Sequence, residues 1–200
     1  MKWPFSYKKI TDEELMSHIV NGDSGYIKEI YNRYNKKLLY YFYRMLGGDE
    51  EKSQDFLQDV FLKLIENPEK FNQNMKFSTW IFTIASNLCK NEYRRLKVRE
   101  STRIEPNLDH HEQSYDVDIL QKLDQEELEK AIQFELRNMD PEQRSTFLLR
   151  FQENLSIKEI SQILNCAPGT VKSRIFYISK KLNNRLKQYN PSRTEELSDG

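Results

Sequence analysis

Residues 156–186 read SIKEISQILNCAPGTVKSRIFYISKKLNNRL, and no other stretch narrows the fold as much. Ser156 followed by Glu159 is a capping box: the serine oxygen takes a free backbone N–H, and the glutamate reaches back to the cap. Ile157, Ile160, Ile163 and Leu164 then share one face of a short helix. Asn165, Cys166 and Ala167 interrupt it. Pro168 restarts a helix, because proline suits a first helical position where its missing N–H costs nothing. Val171, Ile175, Ile178 and Leu182 form the inward stripe of this second, longer helix. Thr170, Lys172, Ser173, Arg174, Phe176, Tyr177, Lys180 and Lys181 are left largely outward. Outward turns of Thr, Lys, Ser and Arg suit the DNA major groove, where cations hydrogen-bond guanine and hydroxyls reach bases or phosphates. An ordinary helical hairpin with a solvated basic face has the same periodicity. The turn length, the Gly169-Thr170-Val171 run and the Lys172-Ser173-Arg174 run favour the DNA reading.

Net charge is zero over 200 residues, and that balance hides a pattern. Residues 1–98 carry +3, residues 99–129 carry −7, residues 130–190 carry +6 and the tail carries −2. Two mildly basic blocks joined by an acidic segment suggest two modules and a linker; with the helical periodicities along the chain, the expected fold is all-α, two small helical domains joined by a flexible acidic linker, the second holding the helix-turn-helix. The basic blocks are the footprint expected of a nucleic-acid binder. Cys89 and Cys166 make no metal or redox spacing and read as small apolar helix residues. No metal or other cofactor is expected. The start, MKWPFSYKK, lacks the apolar run of a signal peptide, and no segment is long enough to span a membrane. A cytoplasmic location without direct membrane insertion is expected.

Taken in order, Thr11 and Glu14 form another capping box opening a helix to about Asn21, with Leu15, Ile19 and Val20 apolar. A second helix is predicted over 24–46, with Ile27, Ile30, Tyr31, Tyr34, Leu38, Tyr41, Phe42 and Met45 inward, ended by Gly47-Gly48. A third covers 49–65, with acids in its first turns favouring the positive end of the helix dipole. There Phe56, Leu57, Val60, Phe61 and Leu64 face inward, and Asp55, Gln58, Asp59 and Leu62 lie outward. Asp55 and Asp59 stand one turn apart, but no histidine or further acid joins them, so a solvated or partner-facing acidic patch is expected rather than catalysis.

The loop FNQNMK at 71–76 is rich in hydrogen-bonding side chains. The next helix, 78–98, places Trp80, Ile81, Ile84, Ala85 and Leu88 at helical spacing, so Trp80 reads first as core. Aromatics at its start are also able to stack on unpaired bases. Its other face presents Thr83, Asn87, Lys90, Asn91, Arg94 and Arg95, a mix suited to both bases and phosphates. Residues 99–118, with Pro106, His110 and His111, lack periodicity and read as linker; adjacent histidines diverge and make a poor metal site. A helix over 119–138 carries Leu120, Leu123, Leu128, Ile132 and Leu136. Asp140-Pro141 then caps a helix with Phe147, Leu148 and Phe151 that ends near Asn154. PSRTEELSDG reads as a frayed tail.

These residues carry a family resemblance. The chain resembles the extracytoplasmic-function sigma factors, the minimal members of the sigma-70 family of bacterial RNA polymerase specificity subunits. DFLQDVFLKLIE resembles the segment that grips the polymerase clamp. FSTWIFTIASNLCKNEYRR resembles the segment that melts and reads the downstream promoter element. MDPEQRSTFLLRFQENLSIKEISQILNCAPGTVKSRIFYISKKL resembles the domain that reads the upstream element. The resemblance implies a polymerase- and downstream-element-binding domain over 1–98, an acidic linker over 99–124, an upstream-element domain over 125–190 and a tail over 191–200.

It implies no catalytic activity. Contact with core polymerase falls to Asp55, Gln58, Asp59 and Leu62. The downstream element falls to Asn72, Asn74, Lys76, Trp80, Asn87, Lys90, Asn91 and Arg94, with one or more bases flipped into a pocket. The upstream element falls to Thr170, Lys172, Ser173, Arg174, Phe176 and Tyr177, with Arg150 supporting the backbone. The implied partners are core polymerase, promoter DNA and an anti-sigma factor. The acidic linker would thread towards the RNA exit path and mimic a phosphate backbone. Two departures stand out: Ala167 where the family often has serine, and Tyr177 where many relatives have a basic residue. The rival reading is a stand-alone helix-turn-helix regulator, which accounts for residues 125–187 but not for the amino-terminal half.

Overall fold

The computed structural model describes residues 10–102 and 123–186, with side chains described from 10 to 99 and from 130 to 186. Every regular element among them is helical. α1 (Asp12–Val20) is capped by Thr11, and the box closes in both directions: Thr11 N–H donates to Glu14 at 2.8 Å, and Glu14 N–H to Thr11 Oγ1 at 3.2 Å. A short 3-10 turn over Ser24–Tyr26 leads into α2 (Ile27–Met45), whose end is turned by Gly47 and Gly48 at φ +75° and +95°. Glycine reaches that left-handed region without a Cβ clash. α3 (Glu50–Glu66) starts at Asp49, which accepts from Lys52 N–H at 3.0 Å. α4 spans Phe77–Thr102, past the boundary expected at Val98.

α5 (Leu123–Arg137) and α6 (Pro141–Phe147) are separated by Asp140, whose carboxylate accepts from the N–H groups of Glu142 and Gln143. α7 (Ile157–Leu164) opens on the predicted Ser156–Glu159 box and closes on Asn165 in the left-handed region at φ +51°. α8 runs over Pro168–Arg185; Ala167 caps it with no side-chain bond, and proline occupies the first turn. The expectations for residues 1–9, Pro106, His110, His111, Ile119, Leu120 and the tail fall outside the described residues, as do the side chains of Leu123 and Leu128.

One apolar core runs through both blocks. Leu15, Ile30, Leu38, Phe42, Val60, Leu64 and Phe77 fill the first; Leu149, Ile160, Ile163, Val171 and Ile178 fill the second. α4 packs on α7, and α2 packs on α5 and α6, so the two blocks meet directly. This explains why Phe82 and Cys89, absent from the periodic stripe, are 1% exposed: α4 has neighbours on several sides and is buried beyond a single face.

The inward assignment of Tyr31 is corrected, and Phe151, named with the apolar residues of its helix, is also exposed. Tyr31 is 43% exposed, its ring lying 4.9 Å from that of Phe61 at the edge of the α2–α3 packing. Phe151 is 46% exposed because the helix after α6 widens into a π-helical turn over Leu148–Gln152. That turn buries Leu148 and Leu149 side by side and swings Phe151 out, a rotation that a 3.6-residue period does not anticipate.

Candidate nucleic-acid interface

The three residue groups expected to act lie on α3, on the 71–76 loop with α4, and on α8. On α3, burial of Leu57, Val60, Phe61 and Leu64 against α2 forces Asp55, Gln58, Asp59 and Leu62 to the outside. Leu62 is 52% and Ile65 49% exposed, an apolar pair beside two carboxylates. A groove of about 600 Å³ runs along this edge, lined by Ile27, Tyr31, Leu57, Phe61, Leu62 and Ile65. Reading α3 alone missed the groove, because Ile27 and Tyr31 reach it from α2. Its one sequence signal was an aromatic at the margin of α2's apolar stripe.

The loop before α4 is pinned at both ends. Phe71 is buried, Met75 N–H bonds Asn72 O at 3.0 Å, and Phe77 N–H donates to Glu13 at 2.8 Å. Asn72 Oδ1 accepts from Asn74 N–H at 2.9 Å, a side-chain turn that leaves Asn72, Gln73, Asn74 and Lys76 exposed. Trp80 packs edge-on against Phe71 at 5.6 Å and tilts against Phe77 at 5.8 Å. It is half-buried, and these ring contacts hold the loop against α4.

Further along α4, Asn87, Asn91 and Arg94 are exposed as expected. Lys90 is not free: its ammonium donates to the Leu164 carbonyl at 2.9 Å, and burial lowers its pKa. Lys76 pairs with Glu159 at 2.9 Å, and that hydrogen bond and charge raise the lysine's pKa. Both cations thus reach across to α7.

On α8, Lys172, Ser173, Phe176 and Tyr177 stand outward, the two aromatics each 63% exposed and in edge contact at 5.5 Å. Thr170 is half-buried and accepts through its carbonyl from Ser173 Oγ at 3.0 Å. Arg174 departs from the expected outward position: it pairs with Glu142 of α6 and reaches Cys166 Sγ at 3.7 Å. Arg150 donates to Leu155 O at 3.0 Å, tying the wide turn to the start of the helix-turn-helix. Among the described residues, no group of three or more His, Cys, Asp or Glu side chains is arranged to hold a metal, and no helix is long and apolar enough to cross a membrane.

Comparison with known proteins agrees with this division. The sigma-70 region 2 model matches residues 30–99, and the sigma-70 region 4 model matches residues 129–182. The ECF RNA polymerase sigma factor SigW of Bacillus subtilis is 30% identical over 181 residues, covering 88% of this chain and 96% of that protein. The ECF RNA polymerase sigma-E factor of Haemophilus influenzae is 28% identical over 187 residues, covering 90% and 97%. The solved structure of CnrH in complex with the cytosolic domain of CnrY shares the fold at a TM-score of 0.64 and 19% identity, over 88% of this chain and 97% of that one. The sigma factor RpoE, in complex with the anti-sigma factor NepR from Bartonella quintana, does so at 0.60 and 21%, over 80% and 96%. Two sigma-70 regions matched in order, with 30% identity across nearly the whole of SigW, make this chain a member of the extracytoplasmic-function family of RNA polymerase sigma factors.

Proposed function

We propose the following division of labour for this sigma factor. The block ending with α4 docks on core polymerase through Asp55, Gln58, Asp59 and Leu62, with the apolar groove beside them taking a helix or loop of the partner. The 71–76 loop and the α4 face at Asn87, Lys90, Asn91 and Arg94 engage the downstream promoter element. The α5–α8 block sets Lys172, Ser173, Phe176 and Tyr177 at the upstream element, and the acidic segment between the blocks joins them. Arg174, held by Glu142, either positions α8 or exchanges that carboxylate for DNA on binding. The protein acts by binding and positioning in the cytoplasm, without chemistry of its own. An anti-sigma partner, as NepR is for RpoE, would cover the α3 groove.

The observation that supports this reading best is the presence in one chain of two chemically different outward surfaces. One is acidic and apolar on α3; the other is cationic and aromatic on α8. A stand-alone DNA-binding regulator needs only the second. The test is reconstituted transcription with bacterial core polymerase on a pool of genomic fragments. Discrete start sites sharing two spaced upstream motifs are expected. An absence of starts, with tight binding of the chain alone to duplex DNA, would return the case to the stand-alone regulator.

A further inference from the structure

The 71–76 loop runs straight into α4, and the start of that helix is completed by a residue from elsewhere in the chain. The Lys76 carbonyl accepts the first helical bond, from Trp80 N–H at 3.2 Å, which makes Lys76 the cap residue. A lysine side chain has no acceptor to offer the free N–H groups of a first turn. The acceptor comes from α1 instead: Glu13, 64 residues earlier, takes the Phe77 N–H at 2.8 Å. A carboxylate there also faces the positive end of the α4 dipole.

α1 is itself fixed in place. Arg33 of α2 donates to the Asp12 carboxylate at 2.7 Å and to the Ile10 carbonyl at 2.9 Å, while Glu29 accepts from the same guanidinium at 2.8 Å. The second Asp12 oxygen accepts from Tyr34 Oη. The Tyr34 ring then meets the Phe77 ring edge-on at 5.0 Å. Phe77 is therefore held through its N–H by Glu13 and through its ring by a tyrosine that Asp12 anchors. It is fully buried, and its ring lies 5.7 Å from that of Phe71 at the other end of the loop. Both stems of the loop thus belong to one aromatic cluster that α1 braces, whereas Asn72, Gln73, Asn74 and Lys76 between them stay exposed. α1 also lies ahead of residues 30–99, which match the region 2 model.

We propose that Glu13 is a positioning residue for reading the downstream promoter element: by capping α4 at Phe77 it sets the 71–76 loop in the geometry that discriminates bases. This rests on the assignment of that loop to the downstream element, made above. A hydrogen bond to a base edge weakens steeply as its distance and angle drift. A loop whose stem shifts therefore loses part of the difference between right and wrong bases, even while the protein stays folded.

Reconstituted transcription with core polymerase tests this, on promoters carrying single base changes in either element. Each element then gives a discrimination ratio, right base over wrong. That ratio does not depend on how much of the protein is folded, so a purely stabilising role for Glu13 would leave both ratios unchanged. Glu13→Ala is expected to shrink the downstream ratio about fivefold, the low end of what one base-specific contact is worth, and to leave the upstream ratio as it is. Glu13→Gln keeps an acceptor for the Phe77 N–H and should restore the ratio. An unchanged downstream ratio in Glu13→Ala, an equal fall at both elements, or no rescue by Glu13→Gln would overturn the positioning role. A variant carrying both Asn72→Ala and Asn74→Ala separates this from the assignment of the loop. If that variant lowers the downstream ratio and Glu13→Ala does not, only the positioning role falls. If that variant leaves the downstream ratio intact, the loop does not read the element and both fall together.

Discussion

α4 and α8 are both helices with an apolar stripe and an opposite face of amides, hydroxyls and cations, yet they end in different states. On α8, Lys172, Ser173, Phe176 and Tyr177 project from the surface. On α4, the central cation Lys90 is half-buried and spent on a carbonyl, and Lys76 just ahead of the helix is spent on a carboxylate. Similar cations are therefore left outward at Lys172 in one block and engaged at Lys76 and Lys90 in the other, while Asn87, Asn91 and Arg94 of α4 stay exposed. The difference comes from what packs next: α7 lies on α4, whereas on α8 Glu142 meets Arg174 and Glu135 meets Lys181, leaving Lys172, Ser173, Phe176 and Tyr177 exposed. Periodicity says which side of a helix leaves its own core; it does not say whether another domain arrives to cover it.

The largest effect is expected at the junction that makes the difference. Buried Arg144 donates to the carbonyl of Leu136 in its own block and to that of Met45 in the other. Arg144→Ala strands these carbonyls and should cost about 3 kcal/mol in urea unfolding. A loss below about 0.5 kcal/mol, the ordinary range for a surface change, would mean that the blocks are not docked through this residue. Next comes the open face. Lys172→Ala and Tyr177→Ala should leave folding unchanged and cost about 1–3 kcal/mol of discrimination at the upstream element, measured as transcription from promoter variants. A uniform loss on all promoters would instead assign them to phosphate contact.

The third test concerns the Lys76–Glu159 pair. Burial pushes the Glu159 carboxyl up, but hydrogen bonds from Ser156 and Lys76 outweigh it and leave the pKa below the ordinary range. Its stabilisation is therefore complete above the usual carboxylate value of about 4.3 and is lost as pH falls through the lower folded value. Glu159→Gln keeps an acceptor for the capping box and should flatten that part of the acid dependence of the urea midpoint. A variant curve as steep as the wild type's would show that Glu159 has no such role. The smallest effect is a gain: Ala167→Ser supplies α8 with the acceptor that Ser156 already gives α7, and should raise stability by up to about 1 kcal/mol. No change in thermal midpoint would mean that Pro168 already sets the start of α8.

Much of this architecture is readable from local chemistry. Capping by Thr11, Asp140 and Ser156 depends on residues within a turn of one another, and these three caps form where the sequence places them; Asp49, read as the first helical residue, is the cap of α3 instead. The outward positions of Asp55, Gln58, Asp59 and Leu62 follow from a single stripe packed on a single neighbour. Features that depend on distant partners are not readable this way. Arg174 looks like its neighbour Lys172 in sequence, but Glu142, far away along the chain, turns it inward. Tyr31 sits within an apolar series, yet α3 ends its coverage there and leaves a groove. Trp80 had two readings because an aromatic at a helix start serves either core or base stacking; Phe71 and Phe77 draw it towards the core.

The wide turn over Leu148–Gln152 bears on how the chain tolerates changes in length. Glu153 N–H reaches back to Leu148 O at 3.2 Å, so five residues fill a space that an ordinary turn fills with four. One residue is surplus to the helical phase, and the outward Arg150 and Phe151 belong to that bulge. Deleting Phe151 is expected to restore a regular turn, whereas deleting Arg150 would also remove its bond to the Leu155 carbonyl. Insertions and deletions are usually confined to loops; here a single-residue change in length can be absorbed inside a helix.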